Sequence, residues 1–183
     1  MQTTPHAIAT AWSLDPTHSE VQFKVRHLVI STVTGYFRSF GGTFRSPSED
    51  FDGAEVSFTI DVDSIDTNVA DRDAHLKSDD FFNAATFPRI SFNGILNKKD
   101  EGSYTLTGPL SIRDNTRDVV LDVELGGVMT DPWGNVKAGF EVSGKVSRKE
   151  FGLMWNAVTE AGGVVVGDEV KMLINVQWVR QSS

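Results

Sequence analysis

The sequence predicts an all-β protein, an eight-stranded antiparallel β-barrel with a short helical cap. Apolar and polar residues alternate with a period of two over most of the chain, which is typical of strands with one dry and one wet face. Short turn signals separate these stretches and favour antiparallel hairpins. A single charged segment in the middle, Arg72 to Phe82, does not read as a strand. Because no helix is long enough to cover a sheet, the sheet must close into a barrel or form a sandwich, and we favour closure.

Length and composition indicate one ordinary globular domain. The chain has 183 residues, of which 39% are hydrophobic and 23% charged, and splitting it would leave two small cores. We predict a flexible N-terminal leader over residues 1–11 and a barrel domain over residues 12–183. No apolar run approaches the roughly 18 to 20 residues that a membrane helix needs.

Charge and cysteine content exclude several function classes. A formal net charge of −8 argues against nucleic-acid binding, because the field of the protein repels polyanions. The chain has no cysteine, which excludes disulfides, thiolate metal sites and a cysteine nucleophile. The first ten residues contain no basic residue and no apolar core of secretory length, so we expect no signal peptide and a cytoplasmic location.

The first half of the chain predicts three strands and the cap. After a short extended entry at Trp12–Pro16, the first strand places Val21, Phe23 and Val25 on one face, with His27 in the same register. The second strand, residues 35–44, contains glycines spaced as for bends or bulges. The third, Val56–Val62, alternates most cleanly. We expect the segment from Arg72 to Phe82 to be helical and to lie across one end of the barrel, with Phe81 and Phe82 turned inward.

The second half predicts a run of hairpins. Strands are expected at Ile90–Phe92, Tyr104–Ile112, Val119–Leu125, Phe140–Val146 and Val170–Trp178. Asp114-Asn115 and residues 131–135 are the predicted turns between them. Gly162 and Gly163 fall in a polar connection that we interpret as a mobile lid near the barrel opening.

Several motifs in order along the chain resemble those of one family. They are Trp12-x-Leu14-Asp15-Pro16-x-His18-Ser19-x-Val21-x-Phe23-x-Val25-Arg26-His27-Leu28, Gly35-x-Phe37-x-x-Phe40-x-Gly42, Asp63-Ser64-Ile65-Asp66-Thr67, Phe87-Pro88-x-Ile90-x-Phe92, Gly108-x-Leu110-x-Ile112, Ser147-Arg148-x-x-Phe151-Gly152-Leu153 and Asp168-Glu169-Val170. Together with the central charged segment they cover nearly the whole chain. The sequence therefore resembles the YceI-like family, the lipocalin-like polyisoprenoid-binding proteins. The hairpin tip at residues 113–118 departs from the histidine-glycine turn and proline that this family tends to have.

The resemblance implies a lipocalin-like barrel with a helical cap, an elongated apolar cavity and a bound lipid. The implied function is binding, and sequestration or transport, of a polyisoprenoid or another long-chain amphiphilic lipid, without catalysis. Many relatives are exported. We expect no cofactor beyond this isoprenoid, quinone-like or fatty ligand, no nucleic acid, no membrane span, and either a monomer or a weak homodimer.

The inward-facing apolar positions are the candidate ligand-binding residues. They are Phe23, Val25, Phe37, Phe40, Phe58, Ile60, Phe81, Phe82, Phe92, Leu110, Phe140, Phe151, Met154 and Met172. His27, Arg72, His75 and Arg148 are candidates for contact with a polar head group. Arg72 could equally pair only with Asp73 or Asp80.

Two alternatives remain open for the barrel interior. The apolar set could form a filled core, or the lumen could hold an enzyme site for an isoprenoid-like substrate. Asp61, Asp63 and Asp66 could be drawn as paired carboxylates, but Asp61 lies on a wet strand face and the other two lie where the chain turns. His18, His27 and His75 do not have the spacing of a known metal-ligand set. We therefore predict no catalytic residue and no metal site.

Overall fold

The computed structural model describes residues 9–157 and 165–182. The strands are β1 (Thr10–Leu14), β2 (Glu20–His27), β3 (Ser31–Phe37), β4 (Phe40–Ser46), β5 (Glu55–Asp61), β6 (Ile65–Asp66), β7 (Arg89–Asp100), β8 (Ser103–Ile112), β9 (Asn115–Thr130), β10 (Val136–Ser147) and β11 (Val166–Arg180). The helix is α1 (Ala70–Lys77). Most of the predicted leader, and Gly162 and Gly163, lie outside the described residues. Thr10 and Ala11, which were assigned to that leader, instead pair with β4.

These segments form a closed barrel of eight antiparallel strands, as the sequence predicts. β1 and β2 make up one broken strand, as do β3 and β4, and β5 and β6. Both parts of the first strand pair with β11, at Leu14 opposite Trp178 and at Val21 opposite Ile174. Closure leaves the barrel wall without a free edge along most of its length.

The first strand breaks where Asp15 and Pro16 stop its alternation. The Asp15 carboxylate accepts hydrogen bonds from the Thr17 amide at 3.1 Å and the Thr17 hydroxyl at 2.6 Å, and its other oxygen lies 2.8 Å from His18 Nδ1. The Thr17 hydroxyl is the largest cause of an Asp15 pKa lowered to about 2, and His18 adds to the effect. Hydrogen bonds from polar side chains therefore replace the backbone hydrogen bonds between strands over this turn.

The second strand breaks at Arg38 and Ser39 rather than at a glycine. Arg38 N donates to Ser64 O at 3.1 Å, and Ser39 O accepts from Asp61 N at 3.0 Å. Gly35 has a different role. It lies opposite Phe23, and a Cβ at Gly35 would stand 2.2 Å from Phe23 Cζ. The absent side chain thus makes room for an aromatic ring inside the barrel.

The end of the barrel that carries the loops 47–54, 101–102 and 131–135 is closed by aromatic packing, and we call it the plugged end. Phe51 is 3% exposed and lies 5.5 Å from Trp12, 5.6 Å from Phe44 and 5.2 Å from Phe140, measured between ring centroids. Phe44 also stacks on Trp178 at 5.4 Å. Close-packed rings of this kind leave no passage.

The opposite end, the capped end, carries the loops 28–30, 62–88 and 113–114 and the described residues 148–157 and 165. The helix α1 begins earlier and ends earlier than predicted, and turns rather than a helix follow from Ser78. Arg113 holds this segment in place: its Nη1 donates to Phe81 O at 3.1 Å and its Nη2 lies 3.3 Å from Asp79 Oδ1. The hairpin turn of the barrel at this end is Arg113–Asp114, one residue earlier than predicted.

Candidate ligand cavity

An apolar cavity of about 190 Å³ lies inside the barrel. Its lining extends along β11 from Val166 to Trp178, and the part from Val170 to Trp178 spans eight residue steps, or about 26 Å at 3.3 Å per residue. Spread over that length, the volume describes a narrow slot rather than a round chamber. Among the described residues of the lining, Gln22 and Arg148 are the two that are neither aliphatic nor aromatic.

The barrel brings eleven of the predicted ligand-binding residues together around this cavity. They are Phe23, Val25, Phe37, Phe58, Ile60, Phe82, Phe92, Leu110, Phe140, Phe151 and Met172. The lining also contains residues that were not selected from the sequence, among them Val21, Phe44, Leu76, Leu121, Val142, Leu153, Val166, Ile174, Val176 and Trp178. Most of these lie on strand faces whose period-two alternation predicts an inward position. The alternation that predicts the phenylalanine positions therefore also predicts these residues.

Three predicted residues lie outside the lining. Phe40 stacks on Phe58 at 5.7 Å but does not border the cavity. Phe81 is buried against His75 and Trp155, at 5.1 and 5.4 Å, so only Phe82 of the pair turns inward. Met154 is 60% exposed, and its neighbour Leu153 points into the cavity instead. Chain segments without regular alternation do not show which of two adjacent side chains faces inward.

The exposure of the lining changes from one end to the other. Phe44, Phe140 and Trp178, near the plugged end, are buried, whereas Leu76 and Phe82, at the capped end, are half-buried. At the capped end, Phe151 and Leu153 also line the cavity but are buried.

Among the predicted head-group contacts, Arg72, His75 and His27 do not line the cavity. Arg72 Nη2 donates to Thr67 O at 2.6 Å, and its Nε donates to Thr67 Oγ1 at 2.8 Å. Neither Asp73 nor Asp80 is its partner. His75 Nε2 lies 2.8 Å from Asp80 Oδ2, and its ring packs at 4.7 Å from Trp155. His27 is half-buried and pairs with Val166 in the sheet. These side chains hold the cap and the rim together.

Arg148 is the predicted head-group residue that does reach the cavity. It is 5% exposed, and its guanidinium donates to the carbonyl oxygens of Leu153 at 2.6 Å, Trp155 at 2.8 Å, Gly167 at 2.8 Å and Val166 at 3.2 Å. Burial lowers the pKa of Arg148, and the charge of Asp168 opposes that effect. Four of its five N–H groups are thus used by the backbone, and the charge has no direct carboxylate partner among the described residues.

A tight turn places Arg148 and Leu153 at the rim. After the 3-10 turn Arg148–Phe151, Gly152 adopts a left-handed conformation with φ of 81°. A Cβ at Gly152 would lie 2.6 Å from Asn115 Nδ2, which donates to Phe151 O at 3.0 Å. Both the backbone angle and the close approach favour glycine at this position.

The polar groups considered for catalysis or metal binding lie elsewhere. Asp61 accepts from Ser39 Oγ at 2.6 Å and lies 3.6 Å from Arg89, in a surface groove at the capped end that also contains Asp63 and Arg113. Within residues 9–157 and 165–182, no three His, Cys, Asp or Glu residues are placed to hold a metal ion. Over the same residues, no helix has the length and apolar character required to cross a membrane.

Comparison with known proteins identifies the family. The YceI-like domain model matches residues 12–178. Protein YceI of Salmonella newport is 37% identical over 181 residues, which covers 98% of this chain and 92% of that protein. The crystal structure of a Campylobacter jejuni YCEI protein superposes with a TM-score of 0.74 at 29% identity, over 86% of this chain and 90% of that one.

Two more distant structures share the fold. Burkholderia cenocepacia BcnA superposes with a TM-score of 0.78 at 19% identity, over 90% of this chain and 98% of its own. A polyisoprenoid-binding domain from Saccharophagus degradans, implicated in plant cell wall breakdown, gives a TM-score of 0.69 at 15% identity, over 93% and 98% of the two chains. The family model covers most of the chain and the Salmonella relative nearly all of it, so this protein belongs to the YceI-like family.

Proposed function

We propose that this protein binds one long-chain amphiphile, such as a polyisoprenoid, inside the barrel and shields its chain from water. The observation that carries the proposal is the cavity itself: a narrow apolar slot, closed at one end by aromatic rings and bordered at the other by the half-buried cap residues Leu76 and Phe82. Each CH₂ group removed from water contributes about 0.8 kcal/mol, so a long chain is held with few polar contacts. The Saccharophagus degradans domain of the same fold is named for polyisoprenoid binding.

The shape of the cavity limits the kind of ligand. A volume of about 190 Å³ is below the roughly 300 to 1,000 Å³ of typical drug-sized sites. An extended, flexible chain fits a slot of this shape, whereas a bulky fused-ring molecule does not. A chain as long as a polyisoprenoid requires the mobile side chains in the lining, such as Met172, Leu76 and Phe82, to change rotamer.

Arg148 gives the proposed ligand a polarity and an orientation. The Arg148 side chain borders the cavity beside the half-buried Val166. A polar or anionic head group placed there gains a buried positive charge with one N–H still free. The chain would then extend toward Phe44 and Trp178 at the plugged end. Sequestration and transport are the two uses of such a complex.

Two competing functions have less support. An enzyme needs groups that transfer protons or attack the substrate, and no described residue of the lining carries a carboxylate, imidazole, thiol or hydroxyl. A structural barrel with a filled core would contain few voids larger than a water molecule. We propose a binding protein rather than an enzyme, and its cytoplasmic location and its monomeric or weakly dimeric state stay predictions.

The direct test is organic extraction of the purified protein followed by mass spectrometry of the extract. We expect a lipid with a long, predominantly hydrocarbon chain in a fixed ratio to protein. A protein purified without detergent that yields no lipid, and that also takes up none when offered a polyprenyl phosphate or a fatty acid, would rule the proposal out.

A further inference from the structure

The tip of the hairpin between β2 and β3 is apolar and exposed at the rim of the capped end. Leu28, Val29 and Ile30 are 39%, 69% and 84% exposed. Leu28 and Val29 have φ angles of 54° and 66°, a conformation that suits asparagine or glycine and is unfavourable for a β-branched residue. Neither burial nor turn geometry therefore accounts for these three side chains. An unburied apolar tip of this kind marks a contact surface.

The tip adjoins the cavity opening. Leu28 N donates to Val165 O at 2.8 Å, and Val166 and Val25, directly below the tip on neighbouring strands, line the cavity. Met154, 60% exposed, lies in the connection between β10 and β11 on the same flank of the barrel. A surface that covered this tip would also face the entrance of the cavity.

The flank below the tip is basic, although the protein is acidic. Lys145, Lys171 and Lys24 lie directly opposite one another on the adjacent strands β10, β11 and β2, and all three are exposed. Like charges placed in this way are unfavourable for the sheet alone. The sequence contains no Asp or Glu between Glu20 and Glu49, in a chain whose net charge is −8. The row of lysines thus forms a positive stripe, with Arg26 between it and the tip.

Two acidic residues beside the lysine row have partners within the protein. Glu169 lies 3.8 Å from Lys145, and Asp168 accepts from Ser147 Oγ at 2.7 Å and from Lys149 N at 3.2 Å. Asp71, an exposed acid of the cap, lies on α1, which packs against β6. A negatively charged surface therefore meets the basic flank when the barrel tilts toward the β2–β3 hairpin.

We propose that the β2–β3 hairpin docks on an anionic lipid bilayer, with residues 28–30 inserted and the lysine row at the phosphate groups. Lys24 lies four residues from Leu28, or about 13 Å along the strand. An apolar element buried about 5–10 Å into the bilayer interface brings lysine side chains at that distance within reach of the head groups. The cavity entrance then faces the bilayer, so a ligand passes between membrane and barrel without crossing water.

The plugged end offers an internal contrast. Its β9–β10 hairpin also exposes apolar side chains, with Met129 at 62% and Trp133 at 82%. Beside it, however, Glu124 and Glu141 lie opposite each other and are exposed. Both ends have an exposed apolar tip, but the positive stripe lies at the capped end. Anionic vesicles should therefore bind the β2–β3 tip and not the β9–β10 tip.

Vesicle flotation with the full chain tests the proposal. Vesicles of phosphatidylcholine and phosphatidylglycerol in equal parts should carry the wild-type protein, and pure phosphatidylcholine vesicles should carry little of it. Ile30→Asp should lower the partition coefficient at least tenfold, as expected for an apolar side chain that leaves its buried site. The double variant Lys24→Glu/Lys171→Glu should lower it by roughly fivefold or more for each lysine lost, and high salt should act in the same direction.

The matched control is Trp133→Asp, which removes the apolar tip of the plugged end and should leave binding unchanged. Circular dichroism of each variant confirms that it is folded. The proposal is overturned if the wild-type protein does not float with anionic vesicles, if Ile30→Asp binds as wild type does, or if Trp133→Asp abolishes binding. Lipid in the cavity is measured separately by extraction, so an empty cavity in a protein that floats would count against the proposed ligand function and not against the docking surface.

Discussion

The two ends of the barrel are held together by different interactions. At the plugged end, Phe51 closes the lumen by packing among rings. Its loop is tied to the wall by the Tyr104 hydroxyl, which donates to Asp50 O at 2.6 Å, and by backbone hydrogen bonds to Leu96. At the capped end, α1 has no buried residue. There Arg113 and Arg148 hold the loops by donating to backbone carbonyl oxygens.

This difference separates stability from access. Packed aromatic rings bury a large apolar surface area and have few rotatable bonds. They cannot move apart without opening the core. The individual hydrogen bonds that hold the capped-end loops have small net free energies and break locally without unfolding the barrel. The plugged end should therefore dominate global stability, while the capped end should open for the ligand.

The largest expected effect is loss of bound lipid when a charge is placed in the cavity wall, midway between the two ends. Phe58 is 8% exposed and lines the cavity, and an unpaired carboxylate there costs several kcal/mol against an apolar chain. Phe58→Asp should lose its lipid, measured as lipid recovered per mole of folded protein.

Two companion variants complete that experiment. Thr59→Asp, on the exposed face of the same strand, should keep its lipid. Phe58→Ala reports what loss of the ring alone does to stability and to the lipid content. A folded Phe58→Asp protein with its full lipid complement would show that this wall does not border the ligand.

Truncation of the plug should be the next largest effect, on stability rather than on binding. Phe51→Ala removes a ring that is 3% exposed and lies outside the cavity lining, and should lower the free energy of unfolding by about 3–5 kcal/mol. Phe82→Ala, at the half-buried opposite end, should cost less than half as much. Urea denaturation measures both. Equal losses at the two positions would contradict the proposed division between the ends.

Removal of Arg148 should loosen the capped end selectively. Arg148→Met leaves the carbonyl oxygens of Leu153 and Trp155 without their donor and should cost about 2 kcal/mol or more. Hydrogen exchange should rise over residues 153–157 and 165–167, while the strands at the plugged end keep their protection. The exposed neighbour Lys149→Met serves as the control. Increased exchange throughout the barrel would mean that Arg148 supports the whole fold.

The smallest effect concerns the break in the first strand and depends on pH. The lowered pKa of Asp15, about 2 against 3.8, corresponds to about 2 kcal/mol of stability. Because the folded-state pKa is the lower one, this contribution is complete above pH 3.8 and disappears as the pH falls through about 2. Asp15→Asn should lower the free energy of unfolding at neutral pH and change it little near pH 2. Glu20→Gln, at an exposed position on the same strand, should leave stability unchanged at both neutral and acid pH. If Asp15→Asn lowered stability by the same amount at every pH, the loss would not come from the lowered pKa of Asp15.

The sequence predicts the regular parts of this molecule well because one physical signal determines them. A period of two places Val21, Phe23 and Val25 on the inner face, and the same pattern on later strands predicts a closed barrel. The first strand break is signalled by Pro16. The second, at Arg38–Ser39, has no glycine or proline, and it depends on contacts with Ser64 and Asp61, which are distant in sequence.

The irregular parts could not be predicted to the residue. Phe81 and Phe82 are adjacent and equally apolar, and the sequence does not show that Phe81 packs on Trp155 while Phe82 lines the cavity. The same holds for Leu153 and Met154, beyond the left-handed Gly152. In the sequence, Arg113 stands out only as part of a departure from a family motif, whereas in the structure it joins the cap to the barrel. Such roles depend on side chains and carbonyl groups that meet only in the folded protein.

The central claim is that a chain enters at the capped end and extends toward the aromatic plug. Trp178 lines the deep part of the cavity, and replacing Trp12, Trp133 and Trp155 by phenylalanine leaves it as the single tryptophan. Its fluorescence should be quenched strongly by a fatty acid brominated at the far end of the chain, and weakly by one brominated next to the carboxylate. The reverse order, or no quenching by either acid in the folded variant, would contradict the account.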